Sequence, residues 1–190
     1  MRLFPQSKSL FLALSCAAAF SLNAFAEDDE LQYGDGKAKG VRSIGGGGPI
    51  VEFTAPKAIG VALTGLKIQG SRYGEAKAPD EDISVYVLDA ETGKLVAEKK
   101  FPYKEFKKRS GTEPKNQYWV KIKFDKPAQV PKKFKVYVNP NAEATKGIYF
   151  AFGGSGDTHS KTGSGAPPKD MEEDNAPFDN GDWLISALVR

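Results

Sequence analysis

The stretch Val120-Lys121-Ile122-Lys123-Phe124 decides the fold class, and Phe134-Lys135-Val136-Tyr137-Val138 repeats its pattern. In both stretches apolar and polar side chains alternate strictly, so an extended chain has one apolar and one polar face. This alternation is typical of β-strands that pack one face on a core.

The same period of two recurs along most of the chain. It predicts further strands near 50–54, 61–69, 83–89, 95–101, 147–152 and 183–189. Between two of them, Glu91-Thr92-Gly93-Lys94 predicts a hairpin turn. About eight short strands separated by turn residues predict an all-β fold, an antiparallel β-sandwich of jelly-roll type.

The N-terminus predicts an export signal over residues 1–26. Arg2 and Lys8 precede an apolar run over 10–20, and Ala24-Phe25-Ala26 forms an A-x-A cleavage site. A membrane span requires roughly 20 apolar residues, so this run is too short for one. We therefore expect cleavage near Ala26 and a secreted or periplasmic product without a transmembrane segment.

Cys16, the only cysteine, lies inside this predicted signal. Its alternative role is the lipidated cysteine of a bacterial lipoprotein, which the short apolar run before it disfavours. Beyond the signal the chain has no thiol, which excludes disulfides, a cysteine nucleophile and a thiolate metal site. The remaining chain is long enough to bury about 70% of its unfolded surface in one core.

Three stretches lack the strand pattern. Residues 27–48 are acidic and then Gly-rich, 104–117 are basic and polar, and 153–181 are rich in Gly, Pro and acidic residues. Long loops on a β scaffold often carry function. We expect an N-terminal segment over 27–48 and a sandwich domain over 49–190.

His159 is the only histidine, so no multi-histidine metal site is predicted. Imidazole suits general acid–base chemistry, and a hydrolase that uses His159 with a carboxylate is one alternative function. The adjacent Ser160 does not support it, because neighbouring side chains on an extended segment point apart. The other interpretation is a histidine that hydrogen-bonds loop backbone.

Carboxylates in Gly-containing loops offer the oxygen ligands that calcium requires. Asp35, Asp179 and Asp182 are the candidates for a structural calcium ion, although no EF-hand spacing is present. The alternative is a set of solvated acidic loops. No other cofactor is predicted.

Basic residues are concentrated from Glu91 to Lys135, where fourteen face only five acidic ones. If the two alternating strands are antiparallel neighbours, four lysines share the solvent face of one sheet: Lys121, Lys123, Lys133 and Lys135. Such a face would bind anionic polymers, or it would only keep the sheet soluble and block edge pairing. Removal of the signal leaves 25 basic and 24 acidic residues, so no specific nucleic-acid partner is predicted.

Both tryptophans adjoin predicted strands. Trp119 precedes the first alternating stretch and Trp183 begins the last apolar one, so both are expected in the core or at its rim. An exposed aromatic strip would instead favour carbohydrate binding.

Several segments occur in order along the chain: Gly70-Ser71-Arg72-Tyr73-Gly74, Asn139-Pro140 with Thr145-Lys146-Gly147, His159-Ser160-Lys161-Thr162-Gly163 and Gly181-Asp182-Trp183. Together they resemble a module of exported bacterial proteins whose biochemical role is largely unknown. The resemblance implies a jelly-roll-like β-sandwich, galactose-binding-like in outline. It implies no catalytic residues.

These segments contain the candidate binding residues: Arg72, Tyr73, Asp157, His159, Ser160 and Trp183. The guanidinium of Arg72 is expected to clamp a carboxylate, such as that of Asp157 or Asp182. The set is either a polar network that ties loops to the sandwich or a ligand-binding surface at one end of it.

The leading expectation is a secreted or periplasmic, non-enzymatic binding or accessory domain for an envelope glycan or protein. The alternatives are the hydrolase that uses His159 and a basic-surface binder of anionic polymers.

Overall fold

Alternating apolar and polar residues build two antiparallel sheets that pack face to face. The computed structural model describes residues 28–109, 117–143, 145–154, 158–167 and 169–190. Within them the strands are β1 (Asp29–Leu31), β2 (Gly40–Arg42), β3 (Gly47–Thr54), β4 (Val61–Gly74), β5 (Asp82–Asp89), β6 (Leu95–Pro102), β7 (Tyr118–Val130), β8 (Lys133–Asn139), β9 (Lys146–Gly153), β10 (Ser160–Ser164), β11 (Glu172–Glu173), β12 (Asp182–Trp183) and β13 (Ile185–Val189). The predicted antiparallel β-sandwich is confirmed.

The strands divide into a seven-stranded sheet A and a six-stranded sheet B. Sheet A has the order β1-β13-β4-β9-β12, with β2 paired to β9 and β7 paired to β4. Sheet B has the order β11-β10-β3-β8-β5-β6. The long strand β4 therefore organises sheet A, and β3 lies between β8 and β10 in sheet B.

The core lies between the inner faces of the two sheets. Leu66 and Ile68 of β4 in sheet A are fully buried, and so are Val136 and Val138 of β8 in sheet B. These residues occupy alternate positions, as the strand period requires. Their burial removes apolar surface from water and supplies the main driving force for folding.

Every strand predicted from the sequence is present, and most extend beyond their predicted ends. Four strands were missed: β1, β2, β10 and β11. They are short or lack strict alternation, and they form because the edges of β13, β9 and β3 offer unpaired backbone groups. The sandwich thus includes residues from Asp29 onward, whereas the predicted domain began at residue 49.

The predicted single basic face is wrong. Lys121 and Lys123 lie on β7, which pairs with β4 in sheet A. Lys133 and Lys135 lie on β8, which pairs with β3 and β5 in sheet B. Alternation along a strand determines which side chains share a face, but it does not determine which strand is the neighbour.

The export signal predicted over residues 1–26 lies outside the described residues. Among the described residues, no helix is long and apolar enough to cross a membrane.

Candidate functional site

Two of the predicted residues, His159 and Ser160, meet at the carboxylate of Asp182, and Trp183 joins them through Ser160. Its Oδ1 accepts the backbone N–H of His159 at 2.6 Å and the hydroxyl of Ser160 at 2.8 Å. The Ser160 Oγ in turn accepts the backbone N–H of Trp183 at 3.0 Å. We call Thr158, His159, Ser160, Asp182 and Trp183 the Asp182 network. It joins the beginning of β10 to β12 and so connects the two sheets.

Thr158 fixes the backbone that leads into β10. Its hydroxyl donates to the carbonyl of Gly181 at 2.9 Å and accepts the N–H of Ser160 at 3.1 Å. Such local side-chain bonds replace ladder bonds where a strand begins. The backbone on both sides of His159 is therefore held in place.

Ser160 does not have the surroundings of a nucleophile. Its side chain is buried, its proton is donated to a carboxylate, and its oxygen already accepts a backbone N–H. An activated serine instead donates its proton to a general base. The arrangement supports a structural role for Ser160, which links β10 to β12.

The imidazole of His159 has a fixed orientation. It lies flat on the ring of Tyr33, with centroids 3.7 Å apart and planes 3° apart, and Tyr33 stacks on the buried Phe53 at 5.6 Å. Its Nδ1 lies 3.6 Å from Oδ2 of Asp182, and the side chain is 43% exposed. The imidazole therefore forms the solvent-facing end of an aromatic column that begins in the core.

Tyr33 anchors this column to sheet B. Its hydroxyl donates to the carbonyl of Glu52 at 2.9 Å. Burial raises the pKa of Tyr33, and the nearby carboxylates of Asp182 and Glu52 raise it further. The phenol therefore remains a neutral donor, and the ring is held under the imidazole.

A pocket of about 180 Å³ opens beside the imidazole on the outer face of sheet B. Glu52 of β3 lies opposite Lys135 of β8 in register, and β10 borders β3 on its other edge. The pocket therefore lies across three adjacent strands. Its polar side chains come from Glu52, Lys135, Thr158, His159, Ser160, Lys161 and Glu173.

Glu173 bridges the two lysines of this pocket. Its carboxylate accepts from Lys135 Nζ at 2.7 Å and lies 2.9 Å from Lys161 Nζ. Partial burial raises the pKa of Glu173, but the hydrogen bonds and charges of the two lysines outweigh it and leave the pKa below its usual range. The three groups together carry one net positive charge.

Arg72 and Tyr73 lie away from this site. The guanidinium of Arg72 donates to the carbonyls of Glu75 and Ala76, both at 2.8 Å, so the predicted clamp on Asp182 is wrong. Arg72 occupies a buried position near the end of β4, where the turn that follows offers unpaired carbonyls within its reach. Tyr73 donates its hydroxyl to the carbonyl of Glu143 at 3.0 Å.

The other predicted residues have mixed outcomes. Trp183 is 1% exposed and stacks on Phe178 at 4.0 Å, which confirms its place in the core. Asp157 lies outside the described residues. The prediction that Trp119 lies in the core or at its rim is wrong, because this residue is 39% exposed on the outward side of β7, where Val120 and Ile122 take the inward positions.

The candidate calcium ligands do not converge. Among the described residues, no group of three or more histidine, cysteine or carboxylate side chains is placed to hold a metal ion. Asp35 accepts the backbone N–H of Lys37, and Asp179 accepts from the amide of Asn180. Asp182 is occupied by the donors of its own network.

Sequence reasoning missed five residues of this site: Tyr33, Glu52, Thr158, Lys161 and Glu173. Tyr33 was visible beside Gly34, but its segment showed no strand pattern. In the sequence, Lys161 is a single basic residue and Glu173 is one member of an acidic run. Nothing local in the sequence indicates that β10 and β11 pair and bring these two charges together.

No protein-family model and no curated protein matches this chain. The site is therefore interpreted from its own geometry.

Proposed function

We propose that this protein is a secreted or periplasmic, non-enzymatic binding module for an envelope glycan. In this proposal the pocket beside His159 holds one sugar residue of the glycan. The observation that carries it is a solvent-open pocket in which the Asp182 network and Tyr33 hold the imidazole of His159 and Glu173 holds Lys135 and Lys161. The predicted export signal and the resemblance to galactose-binding-like modules agree with such a role.

The chemistry of the pocket suits a hydroxyl-rich ligand. Lys135 and Lys161 supply donors, and the carboxylates of Glu52 and Glu173 supply acceptors. A sugar hydroxyl both donates and accepts, so it can use both kinds of group. The volume is below the ~300–1,000 Å³ of pockets for drug-sized molecules, which matches a single ring.

A hydrolase is the second candidate, because His159 faces the carboxylate of Asp182 at one side of the pocket. Two observations favour binding over hydrolysis. The separation of 3.6 Å between Nδ1 and Oδ2 exceeds a hydrogen bond, and Oδ1 of the same carboxylate holds a backbone N–H and the Ser160 hydroxyl. The neighbouring serine is likewise engaged in holding the fold.

Binding to a glycan array and to soluble peptidoglycan fragments tests the proposal. We expect the purified protein to bind at least one of these glycans, and we expect His159→Ala and Glu52→Gln each to weaken that binding at least tenfold with an unchanged circular dichroism spectrum. Lys133→Gln is the matched control, since Lys133 is exposed on the same sheet outside the pocket lining.

Two results would contradict binding through this pocket. One is that the wild-type protein captures none of these glycans, or captures one with an affinity that neither pocket variant changes. The other is release of new reducing ends from a bound glycan by the wild type but not by His159→Ala, which would establish the hydrolase instead.

A further inference from the structure

A row of outward side chains on β7 forms a second surface on the opposite side of the sandwich. Trp119, Lys121 and Lys123 alternate with the inward Val120 and Ile122. Successive outward positions on a strand are ~6.7 Å apart, so the row spans ~13 Å. That length matches a short oligosaccharide better than a single sugar. We call these three residues the β7 face.

Trp119 is an accessible aromatic ring on this face. Its side chain is 39% exposed, and its ring stacks on no aromatic ring among the described residues. Tyr118, the neighbouring exposed aromatic residue, is covered by Lys107 at 4.9 Å and by Arg109 at 6.0 Å. Indole is the side chain best suited to present a wide apolar plane together with a polar edge.

The two lysines of the β7 face place positive charge on the outer side of sheet A. Lys67 on the adjacent β4 forms an ion pair with Glu30, whereas neither Lys121 nor Lys123 forms one with any described carboxylate. Both lysines line a pocket of about 210 Å³ together with Arg190, and Asp28 is the acidic residue of that lining. Glu30, which is paired with Lys67, also attracts Lys121 and offsets part of this charge, but cations still outnumber carboxylates and favour an anionic group there.

Buried polar atoms beside Trp119 lack hydrogen-bond partners among the residues that the structure describes. Gln69 lies directly opposite Trp119 in the β4–β7 register, and its Oε1 is buried and unpartnered. The Ser71 hydroxyl and both amide atoms of Gln117 are also buried and unpartnered, and each of these two residues is more than nine-tenths buried. Each unpaired buried polar group costs ~1–3 kcal/mol, and these atoms lie beneath the exposed surface rather than on it.

We propose that the β7 face binds an acidic glycan chain. One sugar ring stacks on the exposed indole of Trp119. A carboxylate or phosphate of the same chain lies between Lys121 and Lys123. This surface is on sheet A, so it is separate from the His159 pocket on sheet B and does not depend on it.

Isothermal titration with three probes of four units each tests this proposal: tetragalacturonate as an acidic saccharide, cellotetraose as a neutral one and tetraphosphate as an anion without sugar. We expect tetragalacturonate to bind at least tenfold more tightly than either of the others. The emission of Trp119 should change on binding, since the other tryptophan, Trp183, is buried.

Variants separate the stacking contribution from the charge contribution. Trp119→Ala and the double variant Lys121→Gln, Lys123→Gln should each weaken tetragalacturonate binding at least tenfold, and the double variant should also flatten its salt dependence. The control is the double variant Lys100→Gln, Lys133→Gln, which removes two exposed lysines from sheet B and should leave binding unchanged.

Three results would overturn the proposal. Failure of tetragalacturonate to bind removes the acidic glycan. Equal binding of tetraphosphate that survives Trp119→Ala would show a surface that responds to charge alone. Loss of binding in His159→Ala but not in Trp119→Ala would assign the saccharide to the pocket on sheet B.

Discussion

Ser160 and Ser71 are both fully buried serines, and their hydroxyls have opposite surroundings. The Ser160 hydroxyl donates to Asp182 and accepts the N–H of Trp183. The Ser71 hydroxyl, on the outward side of β4, has no partner among the described residues. The difference shows that the hydroxyl of Ser160 helps to hold two strands together, whereas the hydroxyl of Ser71 is buried without a compensating hydrogen bond in the part of the chain that the structure describes.

Replacement by alanine should destabilise the protein much more at Trp183 than at Trp119. Trp183→Ala removes a buried ring that stacks on Phe178, and we expect a loss of ~3–5 kcal/mol in the free energy of unfolding. Trp119→Ala should cost less than ~1 kcal/mol, because its ring is exposed. Urea unfolding of both variants measures the difference. Equal losses would show that Trp119 belongs to the core.

Asp182→Ala tests whether the Asp182 network stabilises the fold. Removal of the carboxylate leaves the Ser160 hydroxyl and the His159 N–H without their acceptor, and we expect a loss of ~2–4 kcal/mol. Asp179→Ala is the matched control, because Asp179 is exposed three residues earlier, and it should change stability by less than ~0.5 kcal/mol. A stable Asp182→Ala variant in urea unfolding would refute the structural role.

Replacement of Ser160 and of Ser71 by alanine compares the contributions of the two buried hydroxyls to stability. Ser160→Ala should cost ~1–3 kcal/mol, because it leaves the Trp183 N–H unpartnered. Ser71→Ala should cost nothing or stabilise the protein by up to ~1 kcal/mol, because it removes an unsatisfied hydroxyl. Thermal and urea unfolding should therefore show a lower free energy of unfolding for Ser160→Ala and an unchanged or higher one for Ser71→Ala. A comparable loss in both would mean that Ser71 has a partner in solution.

The paired lysines of sheet B differ from the unpaired ones of the β7 face in a pH-dependent way. The folded state lowers the pKa of Glu173 below its usual 4.5, so its stabilisation is complete above that pH and disappears as the pH falls through the lowered value. Glu173→Gln should cost ~1–2 kcal/mol at pH 7 and progressively less below pH ~4. The exposed Glu172→Gln is the control, and a loss that is independent of pH would contradict the bridge.

The sequence predicts the fold better than it predicts the site. Strict alternation in β7 and β8 correctly gives strands with one apolar face, because it depends only on neighbours along the chain. It could not place these strands in different sheets, since strand partners are chosen by packing over the whole molecule. The same limit explains why Trp119 was expected inside although its position on β7 faces outward.

The site shows the same limit on a smaller scale. His159, Ser160 and Trp183 were selected from segments that lie close together in the fold, and they do converge. Arg72 and Tyr73 came from an equally suggestive segment, but β4 carries them to another part of sheet A, where Arg72 bonds to the backbone of the following turn and Tyr73 to the carbonyl of Glu143. Tyr33 and Glu173 were missed because their roles arise only from contacts distant in sequence.

Binding of three proteins to one glycan array tests whether the molecule has two separate glycan-binding surfaces: the wild type, His159→Ala and Trp119→Ala. We predict that the wild type binds, that His159→Ala loses the glycans held by the sheet B pocket, and that Trp119→Ala loses only the acidic ones. A folded wild-type protein that binds no glycan on the array would contradict it.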